Sequence, residues 1–227
     1  MKEGVFWSSF TESTRLLKKL SLLKENNAHK RIPYSENCFE YSRSKDYREL
    51  YQKLVDNRDY DLLLKDDSMF QMSFSGGNVR LVFIQNPLEY ESFEEFIESI
   101  GWDNEPVTIE LLHEMFDDDY SQALEGMSLN VGATYLRYDV DSRGRIGNEN
   151  IHAYTHLHIG LNNNIRIPVG RYMTPLAFTM FVIRHVYYDI WVDAVRRSQM
   201  TFDYKNKCDT LPAELWTELE KKDFYLC

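Results

Sequence analysis

Residues 151–160, with the sequence IHAYTHLHIG, constrain the fold more than any other segment of the chain. Side chains alternate between the two faces of a β-strand, so residues two apart in the sequence share a face. In a regular strand, one face here is polar and aromatic, with His152, Tyr154, His156 and His158. The other is a plausible core face, with Ala153, Thr155, Leu157 and Ile159. The segment therefore predicts a half-buried strand whose polar face holds three of the chain's six histidines.

Short apolar runs separated by turn signals predict further strands in two groups. The first group is an antiparallel meander formed by residues 60–64, 69–74 and 79–85. The second group is a hairpin of residues 134–140 and 151–160, joined by a turn-rich segment, followed by a short edge strand at 165–169. Pro168 limits the hydrogen bonding of that last strand, because proline has no N–H to donate.

Helical spacing of apolar residues predicts helices over 5–25, 46–55, 93–100 and 107–124, with a loop over 26–44. Thr174 and Pro175 begin a long apolar helix that reaches about Arg197 and is expected to be the central buried helix. A short helix is expected near residues 212–221. The fold class is therefore α+β: a mostly antiparallel sheet packed against helices, in a single domain over residues 1–227. A sub-division into 1–126 and 127–227 is the alternative.

Charge is unevenly distributed along this chain of net charge −10. Residues 86–126 contain thirteen acidic residues and no Lys or Arg, whereas residues 131–200 contain eight Arg, no Lys and five acidic residues. The acidic helices at 93–126 are either a solvated surface or a binding surface for a basic protein partner. The arginines either pair with the acidic block or bind phosphate or carboxylate, which suits their planar guanidinium.

The remaining bulk features predict a cytoplasmic protein without a membrane span. No secretory signal is visible at the N-terminus, and no run of about 18 apolar residues occurs. The three cysteines, Cys38, Cys208 and Cys227, are far apart and indicate neither a disulfide framework nor a zinc ribbon. Whether the protein forms a homo-oligomer is left open.

Two chemistries fit the histidine strand. In the first, His156 and His158 chelate a zinc-type divalent metal, since two imidazoles on one strand face can converge on a single ion. A third ligand would come from Asp139, His152, His185 or His113. Such a site, with an open position, would support metal-dependent hydrolysis.

In the second chemistry no cofactor is needed. His156 and His158, assisted by His152, act as general acid and base, and Asp139 orients a histidine. Arginines bind the phosphate, with Arg137, Arg166 and Arg171 as candidates, while Tyr138 or Tyr154 positions the substrate. This set is the one expected for metal-independent RNA cleavage. The alternative to both chemistries is a purely structural polar face, and the register that would bring Arg137 and Asp139 beside the histidines cannot be read from sequence.

The order of the motifs TYLRYD (134–139), HLHIG (156–160), RIP (166–168) and TPLAF (174–178) resembles an uncharacterised family of bacterial proteins of about this length. It is more loosely similar to toxin-like proteins of mobile phage-defence loci. The resemblance implies a role in defence or toxicity, which often means a nuclease. The leading hypothesis is therefore a nucleic-acid-cleaving effector that prefers RNA. The alternatives are a non-enzymatic interaction or regulatory protein and a metal-dependent hydrolase.

Overall fold

The computed structural model describes most of the chain. The described residues are 1–27, 34–35, 38, 46–87, 93–102, 107–126, 133–140, 153–161, 165–200, 204–216, 220–222 and 225–226. The chain divides into two compact units, one of residues 1–85 with 134–227 and one of residues 86–133. That the whole chain folds as a single domain stays a prediction.

The first unit contains a seven-stranded sheet in which every neighbouring pair is antiparallel and the spatial order follows the sequence. The strands are β1 (Leu23–Asn26), β2 (Leu62–Leu64), β3 (Met69–Ser75), β4 (Asn78–Ile84), β5 (Tyr135–Val140), β6 (Thr155–Ile159) and β7 (Ile165–Pro168). The predicted α+β class is confirmed, and so are six of the strands. For the residues of β1 the sequence predicts a helix end and a loop instead, because LKEN has no apolar alternation.

The described helices are α1 (Glu3–Lys19), α2 (Tyr47–Asp56), α3 (Phe93–Ser99), α4 (Ile109–Gly126), α5 (Pro175–Val186) and α6 (Tyr188–Arg196). The first helix ends earlier than predicted, and Ser21 then takes a positive φ of 57°. The described residues within 212–221 do not form the predicted α-helix; they include two short 3₁₀ turns, Ala213–Leu215 and Glu220–Lys222. No helix among the described residues combines the length and apolar character needed to cross a membrane.

The predicted long C-terminal helix is divided at Tyr187, whose φ of −110° and ψ of 54° are not helical. Eight of the twelve residues of α5 are buried, which confirms a buried helix near the C-terminus, whereas α6 buries only Trp191 and Ala194. The Tyr187 hydroxyl donates to Asp66 Oδ2 at 2.7 Å, and its ring packs edge-on against Phe83. These contacts hold the residue at which the two helices meet.

The main core lies between one face of the sheet and helices α1 and α5. It is formed by the alternate residues of the strands together with aromatic and aliphatic residues of the helices, among them Phe6, Phe10, Phe70, Leu81, Phe83, Leu136, Tyr138, Leu157, Phe178 and Ile183. Burial of this much apolar surface is the main stabilising contribution. Because strand side chains alternate, the same strands present a second set of residues on the opposite face.

In the second unit, α3 and α4 form a smaller core. Phe93, Phe96 and Ile97 of α3 are buried against Leu112 and Phe116 of α4. Both helices predicted in the acidic region are confirmed. The helix α3 ends one residue earlier than predicted, and α4 begins and ends two residues later than predicted.

Candidate functional site

The strand register brings the predicted site residues together on the sheet face opposite the main core. In the β5–β6 pair, Asp139 is opposite His156, and Arg137 is opposite His158. On the outer side of β6, His158 is opposite Arg166 of β7. This is the register in which Asp139 and Arg137 share the histidine face, and the sequence left it open.

Asp139 is the centre of the cluster. Its Oδ2 accepts a hydrogen bond from Arg137 Nε at 2.8 Å, and its Oδ1 lies 3.4 Å from Arg80 Nε. The same Oδ2 lies 3.5 Å from Nε2 of His158 and 3.9 Å from Nε2 of His156. One carboxylate therefore contacts two guanidinium groups and faces two imidazoles. Arg137 thus pairs with a carboxylate outside the acidic block.

The tautomer of His156 follows from its backbone contact. Nδ1 of His156 lies 2.9 Å from the carbonyl oxygen of Ala153. A carbonyl oxygen only accepts hydrogen bonds, so Nδ1 carries the proton and Nε2 of the neutral ring is an unprotonated acceptor. That acceptor points toward the Asp139 carboxylate.

His158 is the most deeply buried member of the cluster, with its side chain 1% exposed. Neither of its ring nitrogens has a hydrogen-bond partner among the described residues. The separation of 3.5 Å from Asp139 Oδ2 exceeds the usual 2.7–3.2 Å of an N–H···O hydrogen bond. A buried polar atom without a partner is costly, so this arrangement requires an explanation.

Burial and neighbouring charges shift the pKa values of all three groups. Burial alone would raise the pKa of Asp139, but the approach of His158 and the charges of Arg137 and Arg80 outweigh it and lower the pKa to about 2. Burial lowers the pKa of both His156 and His158, and the charge of Arg166 acts in the same direction. The cluster is therefore an ionised carboxylate beside two neutral imidazoles near neutral pH.

Two arginines border the cluster toward solvent. Arg166 is exposed on the edge strand β7, and Arg80 of β4, whose side chain is 37% exposed, lies on the other side of Asp139. Sequence reasoning missed Arg80, although a signal was present. It is the only charged residue in the apolar strand NVRLVFI, and its neighbours Val79 and Leu81 are core residues.

The structure places two predicted residues, Tyr138 and Tyr154, away from the cluster. The Tyr138 side chain is fully buried on the core face, where its hydroxyl donates to the Arg171 carbonyl and accepts from Met173 N. Alternation along β5 turns Tyr138 away from Asp139, so its position does not favour the predicted substrate-positioning role, which stays a prediction. Tyr154 precedes the start of β6 and packs against the core, edge-on to Tyr172, so the strand alternation does not extend to it.

Arg171 follows β7, and its exposed side chain stays a predicted anion-binding group. The predicted His152 lies outside the described residues. The other two candidate third ligands, His113 and His185, each have a neighbour within their own helix. His113 pairs with Asp117 within α4, and His185 of α5 packs against Phe181.

The ligand atoms of Asp139, His156 and His158 lie within 4.8 Å of one another, and among the described residues this is the group of three such side chains that could hold a metal ion. The same groups can transfer protons or bind an anion through the bordering arginines. Fold and site together define an α+β protein with a polar His/Asp/Arg centre on the face of an antiparallel sheet opposite the main core.

The chain belongs to the family described as an uncharacterized conserved protein, DUF2290, whose model matches residues 16–227. The match confirms the predicted membership in an uncharacterised family. The comparisons with curated proteins and with solved structures find no significant match.

Proposed function

We propose that this protein is a ribonuclease whose reaction centre is the cluster of Asp139, His156 and His158. The observation that carries the proposal is the placement of cationic side chains around the imidazoles. Arg80 and Arg166 border the cluster on its two sides, while Arg137 contacts Asp139 from within the sheet. Guanidinium groups beside a centre that can supply a base are the elements required to bind and cleave a phosphodiester.

The exposed arginines supply the substrate-binding part of the proposal. Arg166 is exposed, and Arg80 is accessible beside Asp139. A guanidinium can bind two phosphate oxygens at once, and it stabilises the negative charge that develops on the phosphoryl oxygens. Arg137 is 11% exposed and hydrogen-bonded to Asp139, so its main role in the proposal is to hold the carboxylate.

The proposed reaction is a transesterification within the RNA strand. A base at the cluster takes the proton of a 2′-hydroxyl, and the 2′-oxygen forms a bond to the adjacent phosphorus. The bond from phosphorus to the 5′-oxygen breaks, and that oxygen receives the proton. The products are a 2′,3′-cyclic phosphate and a 5′-hydroxyl, so no other reactant is consumed. The preference for RNA follows from the need for the 2′-hydroxyl.

Labelled single-stranded RNA and DNA of the same sequence test this proposal. The wild-type protein is expected to cleave the RNA, and a single 2′-deoxy substitution is expected to abolish cleavage at that position. Arg166→Ala should reduce the cleavage rate by about 10² or more, in line with the loss of one charge-stabilising group. Arg197→Ala is the matched control, because Arg197 is an exposed arginine paired with Asp193 on α6. If both variants cleave as the wild type does, or if the wild type cleaves no RNA, the proposal fails.

We further propose that the reaction serves a toxin-type or phage-defence role, in line with the motif resemblance. Induced expression of the wild type in a bacterial host is then expected to arrest growth, and Arg166→Ala is expected to relieve the arrest. Equal growth inhibition by both proteins at equal abundance would contradict this role.

A second candidate function is binding of a basic protein partner by the second unit. Leu111 and Met115, one helical turn apart on α4, are 46% and 49% exposed. They lie in a segment with thirteen acidic residues and no Lys or Arg. An apolar strip within an acidic surface suits an amphipathic helix with a basic border. Titration with a basic amphipathic peptide tests it: binding lost in a double variant with Leu111→Ser and Met115→Ser supports it, and unchanged binding rejects it.

A further inference from the structure

We propose that Asp139, His156 and His158 form a binding site for one zinc-type divalent metal ion. The ion would be held by Nε2 of His156, a ring nitrogen of His158 and one carboxylate oxygen of Asp139. The use of this ion in RNA cleavage rests on the proposed function, whereas its binding does not. The geometry, the hydrogen-bonding state of the ligands and the burial of His158 each support the site.

The separations between the ligand atoms agree with a shared ion better than with hydrogen bonds. Two ligands bound tetrahedrally to zinc at about 2.0–2.1 Å lie about 3.3 Å apart. The Nε2 atoms of His158 and His156 lie 3.5 and 3.9 Å from Oδ2 of Asp139. Shifts of a few tenths of an ångström to about one ångström would therefore bring all three groups into coordination.

The ligand atoms are acceptors that face one another. The Ala153 carbonyl fixes the His156 proton on Nδ1, so that Nε2 directs a lone pair toward a carboxylate that is itself only an acceptor. Acceptors that converge in this way repel unless a proton or a cation lies between them. A metal-binding histidine usually donates its other N–H to a backbone carbonyl or carboxylate, and His156 already makes that contact.

The burial of His158 supports the same conclusion independently. Both of its ring nitrogens are inaccessible and lack a hydrogen-bond partner among the described residues. A nitrogen 3.5 Å from the Asp139 carboxylate would recover a strong interaction by coordinating an ion placed between the two groups. A general base that must reach a substrate hydroxyl would need more exposure than 1% of its side chain.

The supporting residues also suit a metal centre. His156 and Asp139 are register partners on hydrogen-bonded strands, so their backbones are held rigidly by the sheet. Arg137 donates to Asp139 Oδ2 at 2.8 Å and so orients the carboxylate from outside the ligand set. Three protein ligands leave a position for water, as in catalytic zinc sites.

The metal changes the roles within the proposed reaction. His156 and His158 become ligands, and a metal-bound hydroxide takes the proton from the 2′-hydroxyl. The metal-bound water formed in this way returns the proton to the 5′-oxygen, so the step balances without another reactant. A bound ion lowers the pKa of its water to near neutral, which makes such a base available.

Zinc binding is measured on the full-length protein after treatment with a chelator and removal of that chelator. Isothermal titration with Zn²⁺ is expected to give about one tight site per chain, and His156→Ala is expected to bind more than about tenfold more weakly. His113→Ala and His185→Ala are matched controls, since His113 pairs with Asp117 within α4 and His185 packs against Phe181 within α5. They are expected to bind as the wild type does. Circular dichroism establishes that each variant is folded.

Co²⁺ provides a readout that needs no variant. The wild-type protein with Co²⁺ is expected to show the strong visible bands of four- or five-coordinate cobalt with nitrogen and oxygen ligands, and Zn²⁺ is expected to remove them by displacement. Failure of the wild type to bind either ion, or equal zinc affinity in wild type and His156→Ala, would overturn the metal site. Cleavage of RNA by metal-free protein would leave the proposed function standing and reject the metal mechanism, whereas zinc binding without cleavage would reject the function alone.

Discussion

Nε2 of His158 lies 3.5 Å from Oδ2 of Asp139 on the neighbouring strand. Both ring nitrogens of His158 are inaccessible to solvent. The distance is too long for a good hydrogen bond and close to that between two ligands of one ion. This relationship bears on the two chemistries that the sequence left open. It favours histidines that coordinate a metal over histidines that exchange protons with a substrate.

The ion pair at the centre of the site is expected to contribute to stability. Asp139→Ala would leave the guanidinium of Arg137, which is 11% exposed, without its carboxylate. Loss of one partner of a largely buried pair costs about 3 kcal/mol. Urea unfolding of chelator-treated protein measures this loss. Asp193→Ala, which removes an exposed pair with Arg197 on α6, should cost under about 1 kcal/mol. Equal losses in the two variants would show that the Asp139 pair is no stronger than a surface pair.

Tyr138 is expected to be structural. Tyr138→Phe removes the hydroxyl that accepts from Met173 N and donates to the Arg171 carbonyl, and leaves buried backbone groups unsatisfied. The expected loss of unfolding free energy is about 1–3 kcal/mol. Because the hydroxyl lies on the core face, the rate of RNA cleavage by the folded variant should equal that of the wild type. A stable variant with strongly reduced cleavage would restore a role in substrate binding.

Stability should fall at alkaline pH. Burial raises the pKa values of Tyr47, Tyr138 and Tyr187 in the folded protein, and the charge of Asp66 adds to the effect at Tyr187. A group whose pKa is higher in the folded state stabilises it fully below the unfolded pKa of about 10 and loses that contribution as pH rises. Tyrosinate absorbance should therefore rise in a cooperative step together with loss of circular dichroism. Ionisation of all fifteen tyrosines in an intact fold would contradict the burial.

The Cys38 thiol should react slowly in the native protein. Its side chain is buried, and burial together with the charge of Asp59 raises its pKa to about 11. Only about a thousandth of the thiol is then ionised at pH 8, and the thiolate is the nucleophile. A disulfide reagent should modify the half-buried Cys208 before Cys38, which should react only upon unfolding. Mass spectrometry of peptides identifies the order in which the cysteines are modified. Early modification of Cys38 would show that its buried surroundings open readily in the native protein.

The strands were predictable where alternation and turn signals coincide, as in β3 and β4. The strand β1 was not predictable, because its sequence LKEN has no alternating pattern of its own. It is a strand because it pairs with β2. The long C-terminal helix was predicted as a unit, since apolar composition does not reveal the change of backbone conformation at Tyr187.

The candidate site was predictable in part. Alternation alone places His156 and His158 on one face of β6, but it extends to Tyr154 only if the strand begins earlier than Thr155. The approach of Asp139 depends on the register between β5 and β6, and a shift by one residue would have turned Leu136 and Tyr138 toward the histidines instead. Arg80 joins the site through pairing with a strand more than fifty residues away, which local patterns cannot show.

Anomalous diffraction at the zinc edge from crystals of the Zn²⁺-loaded protein tests the central claim most directly. One strong peak is expected within about 2.0–2.2 Å of Nε2 of His156, a ring nitrogen of His158 and a carboxylate oxygen of Asp139. Crystals of the zinc-loaded protein with no anomalous peak at these three side chains would contradict it.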